Sequence, residues 1–197
     1  MARTSYTTPE GRVTRDQLAR SAMAAFAARG YHGASLETIA TEVGVTRQAL
    51  LHYFPTKVKL LLAVLELRDQ EDSARLDEFA DRHDGSLRAT LRELVRHNAT
   101  RPGLVQLYTV LSAEGVDPGH PAHDWFVERY RKTRLAVAEW VRVEQASGRV
   151  RSTMAPEHLA VAIIALLDGL QLQALLEPGV TDSERVLEEI MSLLGAT

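Results

Sequence analysis

Cysteine is absent from this chain of 197 residues, which excludes a disulfide framework, cysteine-ligated zinc and thiol catalysis. Aromatic residues are scarce, at 6%, while alanine, leucine, glutamate and arginine are abundant, a balance that favours helix over strand. Long hydrophobic runs are missing too. The longest, Leu159 to Leu167, has nine residues and is too short to cross a bilayer. The N-terminus lacks a basic-then-apolar signal pattern, and Arg3 to Arg12 is polar and expected to be disordered. Glu-x-x-His, His-Glu-x-x-His and Gly-x-Ser-x-Gly are all missing, so di-iron, zinc-protease and serine-hydrolase chemistry find no support. His120 and His123, with Asp117 and Asp124, form a loose cluster at a loop-to-helix junction, where caps and solvated groups are expected instead of a metal. No catalytic residue, cofactor or metal is expected. The chain reads as a soluble, cytoplasmic protein with no membrane segment.

What is present is a globular composition, 45% hydrophobic and 25% charged, with enough apolar material for a core. The net charge of −3 conceals an asymmetry: residues 1–60 carry +4 and the remainder −7. A basic head on an acidic body points to a polyanion meeting the head alone.

Every strongly periodic stretch predicts a helix. Thr14 caps the first, with Leu18, Ala22, Ala25 and Phe26 on one face and Gly30 at its end. Ser35 caps a short second helix whose Leu36, Ile39, Ala40 and Val43 follow helical spacing, and Gly44 ends it. Thr46 caps a third, with Ala49, Leu50, Tyr53 and Phe54 inward, closed by Pro55. Thr56 opens a fourth that reaches about Arg82. Further helices are expected at about Ser86–Thr100, Gly103–Gly115, Pro121–Ser147, Pro156–Glu177 and Asp182–Leu194, separated by glycine- and proline-containing breaks. The fold class is therefore all-α, with about nine helices and no strand.

Two short capped helices joined by Gly44-Val45 make a helix-turn-helix. The first buries Leu36, Ile39 and Val43 and so sets the angle of the second. Arg47, Gln48, Leu51 and His52 are left on the outer face of the second, the set able to reach a major groove. Arginine bonds guanine bidentately and glutamine adenine, each worth about 1–3 kcal/mol of discrimination. The helix starts at Ser35 and Thr46 present backbone N–H groups suited to phosphates. Small helical bundles also pack in this way without binding DNA.

The segment GYHGASLETIATEVGVTRQALLHYFPTKVKLL, Gly30 to Leu61, resembles the DNA-binding region of tetracycline-repressor (TetR) family regulators. The matching residues are Gly30, Tyr31, Ser35, Ile39, Ala40, Gly44, Val45, Thr46, Leu50, His52, Tyr53, Phe54 and Lys57. The resemblance implies a three-helix DNA-binding domain at 12–60 with its motif at 35–54, and a helical effector-binding and dimerisation domain at 61–197. It assigns Ser35, Thr46 and Lys57 to phosphates, Arg47 and Gln48 to bases, and His52 and Tyr53 to the DNA backbone, with core packing left open for Tyr53. Leu51 departs from the pattern, because the family usually carries there a tyrosine that contacts phosphate.

The expected function is a sequence-specific regulator, a repressor released from a palindromic double-stranded DNA operator by a small, largely apolar effector. The alternative is a helical small-molecule-binding or interaction protein with a degenerate motif. A homodimer would place two recognition helices about 34–36 Å apart, or a multiple of that. Leu166, Leu170, Leu187, Ile190 and Leu194 are the expected seam, since the helix at 156–177 is apolar almost all round. Family relatives hold their effector among helices four to eight. The candidate lining here is His97, Tyr108, Trp125, Phe126, Tyr130, Gln171 and Gln173, with helix four as the lever between ligand and DNA.

Overall fold

The computed structural model describes residues 14–195; the segment Arg3 to Arg12 lies outside them. Among the described residues there are nine helices and no strand. They are α1 (Arg15–Gly33), α2 (Leu36–Val43), α3 (Arg47–Tyr53), α4 (Lys57–Arg82), α5 (Leu87–Ala99), α6 (Pro102–Glu114), α7 (His123–Ala146), α8 (Pro156–Leu176) and α9 (Ser183–Leu193). Two compact units result, divided after Asp72. The division falls within α4, further along the chain than the 60/61 boundary the resemblance implied. The cause is helical continuity: α4 gives its first turns, with buried Leu60, Leu61 and Val64, to the first unit.

The first unit is built on caps. Thr14 and Gln17 form a reciprocal capping box at the start of α1. Gly30 leaves the helical backbone at φ 70°, as its expected stop requires, but a further turn follows to Gly33 and swings Tyr31 onto Phe26. Ser35, Thr46 and Thr56 accept hydrogen bonds from the backbone N–H groups of Thr38, Ala49 and Lys59 at 3.0–3.1 Å. At Gly44 the chain turns through φ 74°, and the Val45 N–H then reaches the Ala40 carbonyl at 2.9 Å. Ile39, Ala40, Ala49, Leu50 and Phe54 are buried, while Leu36 and Val43 are only half-buried. The Arg15 guanidinium lies 5.0 Å from the Phe54 ring centre, tying the start of α1 to the end of α3.

In the second unit, α7 and α8 pack along each other, and α5 and α9 close over them. The core joins Leu87 and Leu91 of α5, Val141 of α7, Leu159, Ile163 and Leu170 of α8, and Leu187 and Met191 of α9. Arginines two turns apart on α5 clasp α9: Arg88 bonds Glu188 at 2.8 Å and Arg96 bonds Glu184 at 2.9 Å. Buried Glu144 accepts from Arg149 at 3.0 Å, which closes the turn after α7. At the end of α6 a Cβ on Gly115 would lie 3.1 Å from the Phe126 ring and 3.0 Å from the Leu111 carbonyl oxygen, so a side chain there would push its neighbours back by a few tenths of an ångström.

Helix α8 is long and apolar enough, by length and composition alone, to cross a membrane, which the nine-residue run had not suggested. The distinction is one of faces. Leu159, Ile163 and Leu170 are buried in this chain's core, whereas Val161, Leu172 and Leu176 face outward. Leu187→Ala is expected to cost about 2–5 kcal/mol of unfolding free energy by cavity formation. Urea denaturation checks this, and an unchanged stability would show that the α9 packing is wrong.

Candidate nucleic-acid interface and effector site

The start of α3 is where backbone geometry and side-chain exposure coincide. The Thr46 hydroxyl is spent on its own helix, and Arg47 and Gln48 immediately after it are exposed, as is His52 one turn on. Leu51 is half-buried, so the residue that departs from the family pattern contributes packing where a tyrosine would offer a hydroxyl. Tyr53 is half-buried with its ring edge-on to His52 at 5.5 Å. Both roles left open for Tyr53 therefore remain available to it.

Arg47 has a neighbour that the sequence reading missed. Its Nε lies 3.6 Å from Glu37 Oε2 on α2, with both side chains largely exposed. An exposed pair of this kind is worth little, and the arginine stays available to a stronger acceptor. Lys57 is held more firmly. Its ammonium lies 4.5 Å from the Tyr31 ring centre and donates to the His32 carbonyl at 3.4 Å, and burial lowers its pKa. Burial likewise raises the Tyr31 hydroxyl. The Gly30-Tyr31 pair in the resemblance is thus the signal that could have found this seat: the kink at Gly30 delivers the ring on which Lys57 rests.

The second unit brings most of the expected effector residues together. Tyr108 of α6 and Trp125 and Phe126 of α7 form an edge-to-face cluster, with centroids 5.1 Å apart for Tyr108–Phe126, 5.0 Å for Trp125–Phe126 and 6.4 Å for Tyr108–Trp125. Tyr130 donates to Asp168 of α8 at 2.8 Å. Gln171, one turn beyond Asp168, donates to the Thr109 hydroxyl at 2.7 Å and accepts from Asn98 at 3.3 Å. His97 is half-buried beside Arg101, 2.8 Å away, and Gln173 is exposed and bonds back to the Gly169 carbonyl. Neither contacts the ring cluster in these hydrogen bonds.

Sequence reasoning missed Asp168, Arg129, Thr109 and Asn98. A lone aspartate in an apolar helix was the available signal. Burial raises the Asp168 carboxyl above the ordinary carboxylate range, although the Tyr130 hydroxyl and the Arg129 charge pull it down. Tyr130 is raised strongly, by burial first and by the Asp168 charge second. Elsewhere in this unit a shallow cleft of 240 Å³ is lined by Ser86, Arg88, Ala89, Arg92 and Glu188, on the α5–α9 clasp and away from the rings. The histidine-aspartate cluster serves the loop: Asp117 accepts from the Gly119 N–H, His120 from the Ala122 N–H, and His123 Nδ1 lies 2.8 Å from the Gly115 carbonyl.

Leu170 and Leu187 correct the expected seam. Both are almost fully buried in this chain's own core, and Leu166 and Leu194 pack against it half-buried. Ile190 is half-buried as well. The fully buried pair has no surface left for a second copy.

Residues 18–64 match the family described as "Bacterial regulatory proteins, tetR family", and residues 121–197 match "BetI-type transcriptional repressor, C-terminal". The chain is 31% identical over 186 residues to the HTH-type transcriptional regulator TtgR of Pseudomonas putida, covering 89% of this chain and 87% of that one. It is 28% identical over 175 residues to the HTH-type transcriptional repressor AcnR of Corynebacterium diphtheriae, covering 88% and 87%. A transcriptional regulator from Saccharomonospora viridis, solved in complex with choline, has the same fold at a TM-score of 0.77 and 24% identity, over 90% of this chain and 95% of that one.

A pH experiment checks the placement of Asp168. Its carboxyl is raised in the folded chain, so its ionisation opposes folding at neutral pH and that cost disappears as pH falls through the raised value. Asp168→Asn is expected to melt at or above wild type at neutral pH, with the gap shrinking as pH approaches about 4. A gap that widens towards acid would show the carboxyl to be depressed.

Proposed function

This chain belongs to the TetR family of bacterial transcriptional regulators, which are DNA-binding proteins and not enzymes, and we propose that it is a homodimeric repressor released from a palindromic operator by a small molecule. The observation that carries this reading is the solvent-facing set Arg47, Gln48 and His52 on a capped helix, inside the segment that matches the family. In this reading Arg47 and Gln48 read base edges. Lys57 and the helix starts at Ser35 and Thr46 hold phosphates, and His52 and Tyr53 meet the DNA backbone. The protein acts in the cytoplasm, where the operator is. Release requires a state change, and α4, whose 26 residues are shared by both units, is the continuous element through which it passes.

The dimer seam follows from the outward side of α8. Val161, Ala165, Leu172 and Leu176 are exposed and fall on one stripe with Ala162 and Gly169, with small residues that let a second helix approach. A Cβ added at Gly169 would meet nothing within this chain. Removing such a surface from water by pairing two copies is the hydrophobic reason for association.

Two outcomes are expected in solution. With the operator selected from a randomised duplex pool, Arg47→Ala should lose about 1–3 kcal/mol and relax the sequence preference. Lys57→Ala should weaken binding on all sequences and reduce the salt slope by about 1. If both variants bind as wild type does, α3 is not the reading helix. Separately, Leu172→Glu should sediment as a monomer while retaining the wild-type melting temperature of the DNA-free fold within a few degrees or losing only its dimer-linked part; a variant that still sediments as a dimer would place the seam elsewhere.

A further inference from the structure

A carboxylate on a surface that meets DNA repels the phosphates, and helices α1 to α3 carry three of them, Asp16, Glu37 and Glu42. Asp16 lies in the first turn of α1, where the helix dipole favours it. Glu42 is turned back onto Arg29 of α1, with both carboxylate oxygens engaged by the guanidinium. Glu37 differs from these two. Its Oε2 lies 3.6 Å from Nε of Arg47, and 73% of the Glu37 side chain and 55% of the Arg47 side chain are exposed. The acid therefore stands beside the arginine at the start of α3, on the solvent-facing side of the motif. The contact is longer than a hydrogen bond and leaves the arginine mobile in the free protein. It is made at Nε, so the Nη1 and Nη2 end of the fork remains for a bidentate bond elsewhere.

An exposed arginine beside a duplex meets two classes of acceptor. Phosphate oxygens are charged, recur at every step and bond arginine bidentately, but such a contact carries no sequence information. Guanine O6 and N7 are neutral, and a bond to them does carry it. Discrimination between the two needs a repulsive element as well as an attractive one. A carboxylate beside the guanidinium supplies it, since it repels an approaching phosphate and leaves a neutral base edge almost unaffected. The effect grows as DNA displaces water and the local dielectric falls.

We propose that Glu37 is a positioning residue that sets specificity, keeping Arg47 off the phosphates and directing its Nη1 and Nη2 end to a guanine edge. The proposal rests on the reading of α3 as the recognition helix. Glu37 lowers the affinity for DNA in general and raises the discrimination at the base pair that Arg47 reads.

The test follows binding of the full chain by fluorescence anisotropy to the selected operator, to copies with each base pair replaced in turn, and to an unrelated duplex. Wild type is compared with Glu37→Gln, Arg47→Ala and the double variant. Arg47→Ala identifies the base pair in question as the one where discrimination is lost. Glu37→Gln keeps the side-chain size and removes the charge. It is expected to bind the unrelated duplex at least about twofold more tightly at low salt. At the base pair identified, it should lose at least about threefold of the discrimination. In the Arg47→Ala background the same change should leave discrimination there unaltered. Glu37 is also a first-turn acid of α2, and a purely helix-stabilising role would shift the melting temperature without touching base preference. Wild-type discrimination by Glu37→Gln, or an equal further loss in the Arg47→Ala background, overturns the proposal and leaves α3 as the reading helix. If the wild type selects no operator, or Arg47→Ala loses discrimination at no base pair, the reading of α3 falls and the role of Glu37 falls with it.

Discussion

A helix of seven residues does not hold its shape in water, because nucleation costs more than so few hydrogen bonds return. The recognition surface of this protein depends on overcoming that limit. Helix α3 is held from inside by Ala49, Leu50 and Phe54, at its start by the Thr46 cap, and before that by the left-handed turn at Gly44. With those three constraints in place, Arg47 and Gln48 project into solvent from a fixed base. The pair between Arg47 and Glu37 is exposed and weak, so it does not tie the arginine down.

Lys57 shows how a small backbone departure sets up a contact far along the chain. Gly30 breaks helical geometry, Tyr31 turns onto Phe26, and the exposed side of its ring becomes the seat of the lysine. The family pattern contains all three residues, but spacing alone treats them as a helix end, an aromatic and a charge.

In the second unit the deciding feature is that α8 is apolar on nearly every side yet uses its sides differently. One side fills the core with α5, α7 and α9, one turns outward as an apolar stripe, and one bears Asp168 and Gln171 towards α6 and α7. A carboxylate in such a helix opposes folding, and here the Tyr130 hydroxyl and the Arg129 charge compensate part of that cost.

The sequence by itself determined the helix count, the caps and the exposure of Arg47, Gln48 and His52 on α3, though it also put half-buried Leu51 on that face, because these depend on residues within a turn or two of one another. Thr14, Ser35, Thr46 and Thr56 cap where spacing placed them, and Gly44 turns where its neighbours required. The same local information identified Tyr108, Trp125, Phe126 and Tyr130 as residues to watch, without saying what they face. Only the tertiary structure decided that Leu170 and Leu187 belong to the core of one chain, that α4 carries the division past Asp72, and that Asp168 meets Tyr130 across 38 residues of sequence. Periodicity reports how apolar a helix face is but not which neighbour covers it. That choice is made by helices distant in sequence, and it separates a core leucine from an exposed one and gives a lone aspartate its tyrosine partner.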